Sequence, residues 1–212
     1  MTHVNSLVRM LLIVLVAVYL FFSLAMRSEL GQQLFNWFIL QPQDVLYHGQ
    51  LTRLLTYGFL HVDPFHLIFN GLLLFFIGPQ LEDRWGSNRF GLFIILTIIG
   101  GGLFVCAAWM MGVTQQPVIG FSSASLGLLI AWALTYPSSN LYLFGLVAIT
   151  GKNMMWITVG LEVLYAVSGN NISSAAHFGG MATGAVLTLG LWRPTQWKRY
   201  LNGSYRQDWR RR

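Results

Sequence analysis

Residues 90–151 read FGLFIILTIIGGGLFVCAAWMMGVTQQPVIGFSSASLGLLIAWALTYPSSNLYLFGLVAITG, and no Asp, Glu, Lys or Arg interrupts these 62 positions. A soluble domain carries roughly 25% charged residues and has no use for so long an uncharged run. Lipid demands one, because a charged side chain at mid-bilayer costs at least about 2.5–3.5 kcal/mol. The chain as a whole agrees, with 55% of its 212 residues hydrophobic and only 9% charged. Two turn signals, Gln115-Gln116-Pro117 and Pro137-Ser138-Ser139-Asn140, cut the stretch into spans of about 90–112 and 119–136.

Further spans lie on both sides. Upstream, Asp63-Pro64 is a helix start, with Asp as cap and Pro in the first turn; the segment stays uncharged to Leu81 and stops at Glu82-Asp83-Arg84. Met10–Met26, between Arg9 and Arg27, reads as a short first span of about 8–26 rather than a cleaved leader, since it has no strong small-x-small cleavage site. The connection 27–56, with Trp37, Pro42, His48 and Gly49, is too broken to cross but apolar enough to lie at the interface. Downstream come spans of about 152–168, ended by Ser168-Gly169-Asn170-Asn171, and about 174–192. The expectation is an all-α membrane protein, a bundle of six transmembrane helices over residues 1–193 with a basic tail at 194–212.

Cationic residues orient it. With both termini cytoplasmic, the inner segments hold Arg9, Arg84, Arg89, Lys152, Arg193, Lys198, Arg199, Arg206, Arg210, Arg211 and Arg212, and the outer ones only Arg27 and Arg53. Eleven against two is the bias that the positive-inside rule favours. The net charge of +6 is thereby a topological feature, and nothing else in the sequence points to nucleic acid. The single Cys106 rules out an intramolecular disulfide and leaves any metal to the five histidines.

The informative residues are the polar ones inside the spans. His66 and Asn70 lie four apart on one face of the second; Ser122 lies near the start of the fourth, after Gly120 and beside Ser123 and Ser125; Glu162 is in the fifth and His177 in the sixth. In the six-span topology the even-numbered spans all enter from outside, so His66, Ser122 and His177 fall at similar depth in the outer half of the membrane. That set suits acyl transfer. A serine hydroxyl becomes a nucleophile when an imidazole takes its proton, and free N–H groups at a helix start can hold an oxyanion. Close approach of the fourth and sixth spans is allowed by Gly120, Ser123, Ala124 and Gly127 on one and by the small-x-x-x-small pair Gly180 and Gly184 on the other. Each feature also has a plainer reading: serines and glycines pack membrane helices, and an intramembrane histidine can be a strut. His61 precedes its helix and reads as support for the loop before it; Glu162 reads as structural or as part of a gate.

Arg53–Asn70 (RLLTYGFLHVDPFHLIFN), Leu81–Ser87 (LEDRWGS), Gly120-Phe121-Ser122 and Ala176–Gly184 (AHFGGMATG) together resemble, in order along most of the chain, the rhomboid intramembrane serine proteases. The resemblance implies a six-helix bundle with a water-filled cavity open to the outside. It implies a Ser122 nucleophile and a His177 base without an acidic third member, and an oxyanion site of His66, Asn70 and the Ser122 backbone. Arg53, Glu82, Arg84, Gly120, Gly180 and Gly184 are then structural supports, 27–56 a membrane-dipping loop, and 168–174 with the fifth span a substrate gate. Three departures stand out: Ser123 replaces a glycine after the nucleophile, Leu126 replaces an aromatic residue that stacks on the base, and Thr52 precedes Arg53 in place of Trp.

The expected function is endoproteolysis in or near transmembrane segments of other membrane proteins, needing no metal or organic cofactor, in a multi-pass protein of a bacterial inner membrane whose active site opens outward. Two rivals are a catalytically weak relative that binds membrane-protein clients, to which Ser123 and Leu126 lend support, and a transporter using His and Glu as a proton path. The second lacks an inverted repeat or interrupted helix.

Overall fold

The computed structural model describes residues 6–143, 147–168 and 171–190, the side chains of 143 and 171–173 excepted. The basic tail at 194–212 and Gly169-Asn170 of the expected gate loop lie outside the described residues. Helix α1 is Ser6–Ala25; α2 (Glu29–Phe38), α3 (Pro42–His48), α4 (Arg53–Thr56) and a 3-10 turn at Tyr57–Phe59 fill the connection after it. Then come α5 (Pro64–Trp85), α6 (Ser87–Met110), α7 (Ser122–Thr135), the strands β1 (Asn140–Leu143) and β2 (Val147–Thr150), α8 (Gly151–Val167) and α9 (Asn171–Leu189). A helix thus stands at each of the six expected spans. Helices α1, α5 and α6 are long and apolar enough to cross a bilayer, with mean hydropathies of 2.6, 1.4 and 2.4 over their 18-residue windows. Their outward side chains, Ile13, Leu24, Phe69 and Phe76 among them, are exposed and apolar, as contact with lipid requires.

The described residues are mostly helical, with one short pair of strands between α7 and α8. Strands β1 and β2 pair antiparallel with Asn140 opposite Thr150, where apolar, β-branched and aromatic residues favour extended chain. Helix α7 is also shorter than expected. Its 14 residues span about 21 Å, against a hydrocarbon core of about 30 Å. It begins only at Ser122 because Gly120 holds φ at +117°, and Val118 is in a bridge with Leu40. Irregular backbone at this depth is tolerable because protein surrounds it: Val118 and Phe121 are buried, and so is most of α7.

Small residues set how close α7 lies to its neighbours. A Cβ added at Gly180 would sit 2.1 Å from the Ser123 carbonyl oxygen, and one at Gly184 would sit 2.6 Å from that of Gly127. Backbone therefore meets backbone along α7 and α9. Helix α6 joins them through Gly100 and Gly101, whose added Cβ atoms would strike Thr183 and Ser123.

Buried polar residues fasten the remaining pieces. Arg53, 5% exposed, donates from Nη1 to the carbonyls of Asn36 and Ile39 at 2.6 Å each, pairs with Asp44 at 3.0 Å and lies over the Trp37 ring. One guanidinium thus gathers the end of α2, α3 and α4. Glu82 accepts from the Leu7 and Val8 N–H groups at 3.3 and 3.0 Å and from Ser87 Oγ at 2.6 Å, capping α1 with a negative charge where the helix dipole favours one. Arg84 lies 5.7 Å from the centre of the Tyr136 ring, at the end of α7.

His61 is the latch between the 3-10 turn, α5 and α7. Its Nε2 accepts from Asn70 Nδ2 at 3.0 Å and from the Phe121 N–H at 3.4 Å, so the ring must be neutral with its proton on Nδ1. Burial, with the charge of nearby His66 second, pulls His61 down from 6.5 to about 4.

Two outcomes follow from this packing. Gly180→Ala should destabilise the protein by about 1–3 kcal/mol through overpacking, whereas Gly160→Ala, whose Cβ would meet nothing within 4 Å, should be neutral or stabilising; unfolding in detergent micelles compares them. Because His61 binds a proton more readily unfolded than folded, its contribution is complete above about pH 6.5 and declines as pH falls to about 4, by up to about 3 kcal/mol. His61→Gln keeps the acceptor but not the titration, and should flatten that part of the stability–pH curve.

Candidate active site

Ser122 is the first residue of α7, with Phe121 at the N-cap, so the amides of the first turn have no acceptor within the helix. Before it, the Gly120 N–H donates to the Tyr57 carbonyl at 2.9 Å. The turn can pass only as glycine: φ is +117°, and a Cβ there would lie 2.4 Å from Cε1 of His66. His66, from the first turn of α5, therefore packs directly against the peptide that leads into Ser122. Its ring meets the His61 ring edge-on at 5.0 Å.

Asn70 is one turn deeper and buried. Its amide nitrogen is held by His61, and its carbonyl accepts from Ser125 Oγ at 3.3 Å, tying α5 to α7. His61, expected as loop support, thus also fixes the orientation of the Asn70 amide and reaches the N-cap of α7.

From the other side, α9 brings His177 to Ser122. His177 Nε2 lies 2.8 Å from Ser122 Oγ, a direct hydrogen bond. The opposite ring nitrogen, Nδ1, lies 2.9 Å from Oε2 of Glu162 on α8. The expectation of an imidazole without an acidic partner is not met here: a serine, an imidazole and a carboxylate stand in a row. The side chains of His177 and Glu162 keep 17% and 11% of their surface exposed, and Ser122 is half-buried. A cleft of about 430 Å³, lined by Thr158, Leu161, Glu162, Tyr165 and His177, opens beside them. Liquid water occupies about 30 Å³ per molecule, so the cleft has room for several.

The two departures near the nucleophile have different consequences. Ser123 is fully buried, and its Oγ lies 3.1 Å from the Tyr57 hydroxyl, which donates to the Ile98 carbonyl at 2.8 Å. Its hydroxyl faces α6, away from His177. Leu126 is half-buried and aliphatic, and among the described residues no aromatic ring stacks on His177. Tyr57 is a partner that sequence reasoning left without a role, and Glu162 one to which it gave only a structural or gating role. For Glu162 a signal was present: 162 and 177 are nearly equidistant from the turn after Ser168, so an antiparallel helix pair sets them at one depth. For Tyr57 no comparable signal exists. Among the described residues no group of three or more His, Cys, Asp or Glu side chains converges as a metal site would.

Comparison with known proteins gives a consistent result. The chain is 31% identical over 163 residues to the rhomboid protease GluP of Bacillus subtilis, covering 71% of this chain and 28% of that protein. It is 27% identical over 188 residues to the rhomboid protease GlpG of Klebsiella pneumoniae, covering 84% and 60%. RHOMBOID-like protein 12, mitochondrial, of Arabidopsis thaliana is 24% identical over 173 residues, covering 74% and 49%. The chain therefore spans between about a quarter and three-fifths of the length of these relatives. Residues 48–194, from the end of α3 to just beyond α9, match the model of the Rhomboid domain, and the chain is an integral membrane protein belonging to the rhomboid family.

Proposed function

We propose that this protein is an intramembrane serine endopeptidase that hydrolyses peptide bonds in or near the transmembrane segments of other membrane proteins. The observation that carries the reading is the 2.8 Å contact between Ser122 Oγ and His177 Nε2 beside an open cleft. In this reading Nε2 takes the hydroxyl proton as Oγ attacks the scissile carbonyl. The Ser122 N–H, with His66 and Asn70, stabilises the oxyanion. The imidazolium then returns its proton to the leaving amine, and water, activated by the same base, releases the acyl group from Ser122. Hydrolysis by these groups needs no metal or organic cofactor. Substrates should be membrane segments that unwind easily, because an intact helix hides its carbonyls.

The same reading takes α1, α5, α6, α7, α8 and α9 as six membrane crossings with both ends of the chain cytoplasmic. The eleven-to-two distribution of Lys and Arg supports this. Residues 1–193 are then the protease domain and 194–212 a basic cytoplasmic tail. The site opens to the outer face of a bacterial inner membrane.

A client-binding relative without activity is the second reading, favoured by Leu126 in place of a ring over the base. Two measurements decide between them. Ser122→Ala should abolish cleavage of a model transmembrane substrate in liposomes, and undiminished cleavage would end the protease reading. A fluorophosphonate probe should label wild-type protein but neither Ser122→Ala nor His177→Ala; failure to label the wild type favours the client binder.

A further inference from the structure

Helix α8 is held loosely, with only Gly151, Met154 and Glu162 of its described residues buried. The neighbours of Glu162 on the helix, Leu161 and Val163, point outward and are exposed, as are Trp156, Leu164 and Val167. A carboxylate on the inner face of a lipid-facing helix is costly unless it is paired. Its Oε2 has the His177 Nδ1 contact at 2.9 Å. The other oxygen, Oε1, is buried without a hydrogen bond, and so is the hydroxyl of Ser174, one turn before His177 on α9 and close enough to act on Glu162. The carboxylate thus meets the imidazole directly through Oε2, with the Ser174 hydroxyl as its other polar neighbour.

We infer that Glu162 is a positioning residue for the acyl-transfer reaction, a third member of a Ser122–His177–Glu162 relay that holds the base from the side away from the nucleophile. The inference rests on the protease reading above. Accepting the Nδ1 proton fixes the tautomer that leaves a lone pair on Nε2, the atom facing Ser122. It also fixes the ring plane, which no aromatic neighbour does. When the hydroxyl proton moves to Nε2 the ring becomes a cation, and a carboxylate 2.9 Å away stabilises that cation while itself remaining ionised. The alternative is that the pair merely fastens α8 to α9.

The groups around His177 are His66 from α5, Ser122 from α7 and Glu162 from α8, with Tyr165 lining the same cleft and Ser174 behind Glu162. Glu162 is the one among them that carries negative charge near neutral pH. Neutralising it should therefore remove the charge that stabilises the imidazolium as well as loosen the ring.

The test follows fluorophosphonate labelling of the full chain in detergent or liposomes as a function of pH. Ser122 Oγ attacks phosphorus, its proton passes to His177 Nε2, and fluoride leaves. Wild-type labelling should rise with pH as the imidazole loses its proton. In Glu162→Gln, which keeps size and an acceptor but not charge, the plateau rate should fall about tenfold or more, and the midpoint should move down by roughly one pH unit or more. Glu162→Asp should keep the wild-type midpoint and recover part of the rate, and it carries the test if the Gln variant does not fold. Unchanged rate and midpoint in Glu162→Gln, with an unchanged melting temperature, or, where that variant does not fold, a midpoint displaced from the wild-type value in Glu162→Asp, would overturn the inference and leave the protease reading standing. Wild-type protein that does not label, or labelling that survives Ser122→Ala, would instead defeat the protease reading itself.

Discussion

The arrangement depends on two helix backbones meeting with nothing between them. Apolar side chains gain little from each other in lipid, whose tails are equally apolar, so close association has to come from packing and polar contacts. Along α7 and α9 the packing is backbone on backbone, at Gly180 against Ser123 and at Gly184 against Gly127. Had either glycine carried a side chain, the helices would stand farther apart, and the 2.8 Å contact between Ser122 and His177 would open. The geometry of the site is thus decided one and two turns below it, by residues that take no part in chemistry.

Polar groups do the rest, and most of them are structural. Arg53 gathers the short helices after α1, Glu82 caps α1, His61 and Ser125 join α5 to α7, and Tyr57 draws Ser123 toward α6. Each is a buried group with hydrogen bonds to backbone or to another element, which is how a polar atom becomes tolerable away from water, although Nδ1 of His61 has no hydrogen-bond partner among the described residues. The row from Ser122 through His177 to Glu162 differs from these. It keeps some contact with the cleft, and it joins three separate helices through side chains alone.

Much of this was legible in the sequence. Charge-free runs and turn signals located six helices to within a few residues, because a bilayer imposes both length and apolarity. The similar depth of His66, Ser122 and His177 followed from helix direction, and the glycines at 180 and 184 announced a close contact. Other features were hidden for physical reasons. The paired strands β1 and β2 are as apolar as a span, so composition does not separate the two. Helix α7 starts late because Gly120 takes a conformation that glycine alone adopts readily, which residue type permits but does not require. The hydroxyl of Ser123 is turned away by a tyrosine 66 positions earlier, a pairing that periodicity cannot reveal. Glu162 could be placed at the right depth but not on the right face, since the rotation of α8 about its own axis is set by packing.

The most direct measurement of the central claim is an experimental structure in a lipid bilayer, read at position 122. The account predicts Ser122 Oγ within hydrogen-bond reach of His177 Nε2, with water leading from that pair to the outer face. A Ser122 sealed in dry packing, or side chains of 122 and 177 turned into separate cavities, would contradict it.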